Sequence, residues 1–331
     1  MARELIDGFE GGLTLMATKT SGCTLVSTSG LNLSGDYCLA ISTGMGENIK
    51  YTIVSDDEKY FAFKYHTDTV TYTTYMNHIM ALYKDATAIF QLKRNGTSYK
   101  LEAYVGSTLV ATGNTPLDFS TTHLIEVRVK VADSGGIIQV KLNGVLDIDY
   151  SGDTKPGTDT QFNLFYLGSA YGSSYGHGWY DDLVVDDAAW IGDTKIQGIK
   201  PTAAGNSAQW TPSAGSNFQC VDEVPPDDAD YVETNTAAIL DTHTFGDLVG
   251  SIQAIKCVQV HARSMKEGAP TPQNLQLAVR SGATDYFSGN KAVPAAAPKG
   301  LFNIWETDPA TAAAWLASGV NAAEFGYKAV A

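Results

Sequence analysis

The feature that most constrains this chain is a strict alternation of apolar and polar residues over short runs. His123 to Ala132 reads HLIEVRVKVA. Ile125, Val127, Val129 and Val131 fall on one side, and Glu126, Arg128 and Lys130 on the other. A period of two is the signature of a strand with one face on a core and one in water. Lys59 to Tyr65 (KYFAFKY) and Asn32 to Ser42 (NLSGDYCLAIS) alternate in the same way. Two Asn-Gly pairs, Asn95-Gly96 and Asn143-Gly144, separate further strand-like runs and predict type I′ hairpins. Asn163 to Gly168 and Trp179 to Val185 supply two more strands, and helical periodicity is nearly absent before residue 190. Antiparallel strands at this frequency predict a two-sheet sandwich or jelly roll.

The chain changes character after residue 195. Residues 196–235 carry Pro201, Pro212, Pro225 and Pro226 with Asp222, Glu223, Asp227, Asp228 and Asp230, and read as an extended connector. Trp210, Phe218 and Tyr231 argue that it packs on its neighbours. Residues 236–331 read as a smaller β-rich domain. Ile252–Ala262, Gln273–Arg280, Leu301–Trp305 and Phe325–Val330 are its strands, with a turn at Gly268–Pro272 between the first two. Asp308-Pro309 has the form of a helix start, and a helix is expected through Ala310–Ala317. The fold class is therefore mainly β: a sandwich over 1–195 and a smaller β-rich domain with one short helix.

Charge narrows the function classes. With 22 Lys+Arg against 36 Asp+Glu, the formal net charge is −14. A phosphate backbone would repel such a chain, so no nucleic-acid partner is expected. No apolar run is long enough for a membrane span, and acids stand where a signal peptide needs apolar residues. Four cysteines without metal-ligand spacing read as reduced and mostly buried.

Two stretches carry a resemblance. HLIEVRVKVADSGGIIQVKLNGVLDIDYSGDT, followed by LFYLGSA and YDDLVVDD, resembles the second half of a concanavalin A-like lectin/glucanase domain of the laminin-G kind. The matching residues are Asn143, Gly144, Ser151 to Thr154 and Asp181-Asp182. Beyond them, Gly192-Asp193, Gln209 to Pro212 and the acidic Pro-rich stretch resemble bacteriophage virion proteins of the minor structural or tail type. The closing TDPATAAAWLASGVNAAEFGYKAV shares that likeness. This resemblance implies a non-enzymatic virion protein, a capsid decoration or a tail or collar appendage. Its partners would be other virion proteins, a host surface glycan and further copies of itself.

Candidate sites are few. Asp181 and Asp182 could ligate calcium, the one cofactor considered, but strict alternation puts them on opposite faces. Tyr171, Tyr175, His177 and Trp179 lie on a Gly/Ser backbone and form a possible binding loop for sugar or protein. Gly172 to Gly176 matches Gly-x-Ser-x-Gly, but strands rather than a strand and a helix flank it. Asp147 and Asp149 share a strand face without a following Glu, so the carboxylate pair of a glycoside hydrolase is not found. No catalytic residue is assigned. The alternatives to the virion reading are a carbohydrate-binding adhesion module and, further off, a glycoside hydrolase on the same fold.

Overall fold

The computed structural model describes residues 3–31, 33–42, 44–67, 77–170, 175, 177–268 and 272–331. The chain divides into two compact units, Met1–Ile196 and Gln197–Ala331. It is mainly β, as the alternation requires.

Among its described residues the first unit holds fifteen strands: β1 Arg3–Asp7, β2 Thr18–Lys19, β3 Cys23–Ser27, β4 Tyr37–Ile41, β5 Asn48–Asp56, β6 Glu58–His66, β7 Asn77–Lys84, β8 Thr87–Arg94, β9 Lys100–Val105, β10 Thr108–Pro116, β11 Thr122–Lys130, β12 Gly136–Leu142, β13 Val145–Gly152, β14 Phe162–Gly168 and β15 Gly178–Asp186. They form an eight-stranded sheet, β13-β12-β11-β6-β15-β4-β3 with β1 added beside β15. A seven-stranded sheet runs β10-β9-β8-β7-β14-β5-β2. The two sheets face each other across aromatic rings. Phe61 of the larger sheet lies 5.0 Å from Phe165 and 6.3 Å from Phe162 of the smaller one, centroid to centroid. All three are fully buried. Tyr51 also crosses the core, donating its hydroxyl to Asp7 at 2.9 Å. Removing this apolar area from water is the main force holding the sheets together.

The alternation in HLIEVRVKVA behaves as expected on its apolar side: Ile125, Val127 and Val129 are buried. Its polar side is less wet than expected. Glu126 is buried because the segment after β15 crosses that outer face, where the Gly192 N–H donates to Glu126 at 2.8 Å. Trp190 of this strap meets Tyr60 edge-on at 5.5 Å and lies under the Lys141 ammonium at 4.0 Å.

The two Asn-Gly signals part ways. Asn143 and Gly144 have φ of 51° and 82°, the tight turn expected between β12 and β13. Asn95-Gly96 does not make that turn. Asn95 Oδ1 accepts the N–H groups of Thr97 and Ser98, and the left-handed residue is Tyr99. The Asn side chain caps a longer loop instead of bending the backbone itself.

The second unit holds β16 Pro201–Ala208, β17 Thr211–Pro212, β18 Val232–Glu233, β19 Leu240–Phe245, β20 Val258–Ser264, β21 Asn274–Ser281, β22 Thr284–Phe287, β23 Lys291–Ala292, β24 Lys299–Trp305 and β25 Glu324–Val330. One sheet runs β16-β19-β25-β21-β22, with β23 also on β21. Strand β20 pairs with β24 in a separate ribbon, so it does not form the expected hairpin with its successor β21. Leu277, Val279, Phe325, Trp315 and Val260 form the core. The stretch read as a connector supplies β16, β17 and β18 and one short 3-10 turn, Asn217–Cys220.

The helix is displaced from its expected place. Asp308 does cap a turn, accepting Ala310 N–H at 3.0 Å. The turn ends at Ala312, whose φ of 55° breaks helical geometry. The short helix α1 begins instead at Ala317 and runs to Ala322. Asp308 Oδ1 also accepts the Ser281 hydroxyl, which ties the turn to β21.

Candidate functional site

In a sandwich the outer face of each sheet should be solvated. The outer face of the seven-stranded sheet departs from that rule. Strand β8 alternates Phe90 and Leu92 into the core with Gln91 and Lys93 outward, and β9 alternates Leu101 and Ala103 inward with Glu102 and Tyr104 outward. Cross-strand register places Gln91 opposite Tyr104, Lys93 opposite Glu102, and His78 of β7 opposite Lys93. Directly opposed residues have Cβ atoms about 4.5–5.5 Å apart. His78, Lys93 and Glu102 therefore form one transverse row, with Gln91 and Tyr104 in the next. Most of these polar groups are buried, from 1% exposure at Gln91 to 8% at Tyr104. Lys93 is half-buried. Tyr83 and Tyr166 continue the face, their rings 5.1 Å apart.

The row is internally wired. Tyr104 donates its hydroxyl to Glu102 Oε2 at 2.7 Å, and Asn95 Nδ2 donates to Glu102 Oε1 at 2.8 Å. The Lys93 ammonium lies over the Tyr104 ring, 4.0 Å from its centroid, a cation–π position.

Electrostatics separates the titrating groups. Burial, with the nearby Lys93 ammonium, pushes the His78 imidazole down to about 3. His78 is therefore neutral near pH 7 and can only accept or donate hydrogen bonds there. Burial and the Glu102 carboxylate push the Tyr104 phenol well above its ordinary range, so it stays protonated. Burial lowers the Lys93 ammonium, and Glu102 partly opposes that. One face thus holds an acceptor, an O–H donor and a cation. Titratable groups with pKa values driven apart are the usual mark of acid and base assignments.

The sequence points elsewhere for its candidates. Tyr171 and most of the Gly-x-Ser-x-Gly match (Gly172 to Ser174 and Gly176) lie outside the described residues. Tyr175 is half-buried, and its carbonyl accepts the His78 N–H at 2.9 Å. The His177 N–H donates to Asn77 Oδ1 at 2.9 Å, and its carbonyl accepts the Tyr65 hydroxyl at 2.7 Å. Trp179 meets the rings of His66 and His177 edge-on, at 5.6 and 5.5 Å. The main chain of Tyr175 and His177 is thus bonded to the sandwich, and the Trp179 ring packs on two histidines.

Asp181 and Asp182 do not take opposite faces. Asp182 has φ of 50° and the β15–β6 register shifts between Asp181 and Val184. This bulge turns both carboxylates toward Ser34: Asp181 Oδ2 accepts its N–H at 2.9 Å and Asp182 Oδ2 its hydroxyl at 2.7 Å. Burial, then the neighbouring Asp182, pushes Asp181 up to about 9. Among the described residues no group of three or more His, Cys, Asp or Glu is placed to hold a metal ion. Asp147 serves β10, accepting the N–H groups of Asn114 and Thr115 at 3.0 and 2.8 Å.

The face on β7, β8, β9 and β14 is absent from the sequence reading. AIFQLKR and KLEAYV look like ordinary half-wet strands. The available signal was an aromatic, Tyr104, on the side that alternation assigns to water.

No family model and no curated protein matches the chain. Solved structures do. The endo-β-1,4-glucuronan lyase of the fungus Trichoderma reesei is 11% identical, with a TM-score of 0.45 over 56% of this chain and 96% of that one. The cellulose induced protein Cip1 is 15% identical, with a TM-score of 0.42 over 57% and 100%. A mutant Trypanosoma rangeli sialidase displaying trans-sialidase activity is 9% identical, with a TM-score of 0.38 over 52% and 30%. These are β-sandwich proteins of carbohydrate-active kinds, and none of the three is a virion component. The expectation of a non-enzymatic virion structural protein is corrected on this finding. The segments that suggested it have local structural work. Gln209 and Trp210 give their N–H groups to Asp241, and Thr211-Pro212 pairs with Val232-Glu233. Such turn chemistry recurs in unrelated folds and does not mark a family.

Proposed function

We propose that the sandwich unit is a carbohydrate-active domain that takes a polysaccharide chain across the outer face of its seven-stranded sheet. The carrying observation is the pair His78 and Tyr104, held on one face with opposite proton preferences. Tyr104 donates a proton to the departing sugar oxygen as the glycosidic C–O bond breaks, a water adds its oxygen to the sugar carbon, the proton that water gives up returns to Tyr104, and the neutral His78 imidazole accepts a hydrogen bond from that water. Glu102 positions the Tyr104 hydroxyl. Tyr166, half-buried and backed by the Tyr83 ring, supplies a flat apolar surface against which a sugar ring stacks.

The test is a panel of soluble polysaccharides incubated with the full chain, scored for binding and for new chain ends. Binding with release of ends, both reduced by Tyr104→Phe and His78→Ala, is the expected result. Binding without cleavage would reduce the reading to a carbohydrate-binding module. No binding to any member of a panel spanning neutral and acidic polymers would remove it.

A further inference from the structure

The chain has five arginines, and four of them meet a carboxylate. Arg128 lies 2.7 Å from Glu58, Arg263 2.6 Å from Asp228, Arg280 2.9 Å from Asp285 and Arg3 4.0 Å from Asp186. The fifth, Arg94, is the most deeply buried of them, at 5% exposure. Among the described residues it has no carboxylate within ion-pair reach, and its buried Nε–H meets no acceptor. The other deeply buried cation, Lys59, is held by Glu4 at 2.9 Å and Asp56 at 3.5 Å. A guanidinium stays ionised throughout the physiological range and cannot shed its charge to escape burial. Left without a counter-charge, it is costly to keep.

Its surroundings form a small chamber. Arg94 follows Phe90 and Leu92 on the core side of β8, the side opposite Lys93. The guanidinium carbon lies 5.2 Å from the Phe119 ring centroid and 5.8 Å from that of Tyr99. These two rings meet edge-on at 4.9 Å and are half-buried, so the guanidinium lies one ring's thickness below the surface. Main-chain bonds hold the wall in place. Leu117 N–H donates to the Tyr99 carbonyl at 3.0 Å, and Ser120 N–H donates to the Thr67 carbonyl at 2.8 Å. The rings give the cation π density, but they offer its N–H donors no carboxylate.

We propose that Arg94, walled by Tyr99 and Phe119, binds one small oxyanion, phosphate or sulfate, which supplies the missing counter-charge. The guanidinium fork matches two oxygens of one such ion, and chloride cannot bridge it in that way. The apolar wall strengthens the pairing by excluding water. The site is on the other side of β8 from the glycan face and does not depend on that reading.

Melting of the full chain in chloride buffer, then with phosphate or sulfate at matched ionic strength, tests this. The expected result is a saturable rise of the first unit's melting temperature, about 5 °C at a hundred times Kd. Chloride should give none, and calorimetric titration should count one ion per chain. Arg94→Leu should abolish the rise and melt no lower than the unsubstituted chain in chloride, because it deletes an unpaired buried charge. Arg94→Lys keeps the charge without the fork and should bind at least tenfold more weakly. If Arg94→Leu does not fold, the arginine Nε–H NMR signals of the unsubstituted chain decide. The one missing from Arg94→Lys should shift with the added ion while the other four hold. A rise that never saturates, or that survives in Arg94→Leu, would be general salting-out or binding elsewhere and would overturn the site. An unmoved Arg94 signal would overturn it too.

Discussion

The two units bury polar side chains for different ends. In the second unit each buried acid serves the backbone. Asp241, fully buried, accepts the N–H groups of Gln209 and Trp210 and the amide of Asn217. Glu324 accepts the Asn206 N–H at 2.7 Å and the Thr242 hydroxyl at 2.6 Å. Asp308 caps a turn. In the first unit, Glu102 takes the Tyr104 hydroxyl and the Asn95 side-chain amide, and the Lys93 ammonium sits on the Tyr104 ring, so these contacts run between side chains of the sheet face. Polar groups that fold a chain point at main-chain donors. Polar groups that sit on a completed sheet and face one another have a different purpose.

The sharpest way to break this comparison is to damage each unit separately. Phe61→Ala removes the ring that touches both Phe162 and Phe165, and should destabilise the first unit by about 3–5 kcal/mol. Calorimetry should show one transition falling while the second unit's stays. Asp241→Ala should do the converse, lowering only the second unit by about 3 kcal/mol or more as three donors lose their acceptor. If both transitions move together in either variant, the units do not fold independently. Tyr104→Phe should leave both transitions within about 1 kcal/mol while cutting turnover by roughly a hundredfold. A large stability loss would mean that the row is structural after all.

Acidity supplies the next prediction. Burial pushes Asp7 up to about 7 and Asp181 up to about 9, so both hold more protons folded than unfolded. Stability of the first unit should then fall as pH rises from about 4 through these values. The slope is at most about 1.4 kcal/mol per pH unit for each proton. Asp7→Asn should flatten the part below about 7 in denaturant titrations across that range. The smallest effect concerns the second unit's surface. Phe287→Ala removes the ring under Lys328, 4.6 Å away, and should cost about 0.5 kcal/mol by urea melting.

Much of the strand content was legible because burial on one face writes a period of two. Gln273–Arg280 and Phe325–Val330 lie within a residue of β21 and β25. What sequence could not show were the features set by a partner distant in the chain. Glu126 reads as a solvated acid until the strap delivers Gly192 to it, 66 residues later. Asp181 and Asp182 read as opposed until a bulge turns one of them. Asp308 opens a turn but no helix, because Ser281 and Ala313 engage it first. The candidate site was missed for the same reason. Gln91, Lys93, Glu102 and Tyr104 are unremarkable on single strands and form a row only once β7, β8 and β9 are in register.

The strap after β15 has a mechanical consequence. It joins the first unit to the second, and it is fastened at successive points: Gly192 to Glu126, Asp193 to Lys64, and Ile196 to Asp182 at 2.6 Å. Tension arriving from residue 197 onward therefore loads the Ile196–Asp182 bond first, then the Lys64 pair, then Glu126. Because Asp182 lies on β15, the first load passes straight to that strand, while the later fasteners hand it to β6 through Lys64 and to β11 through Glu126. Force on the strap is thus spread over three neighbouring strands of one sheet instead of falling on β15 alone.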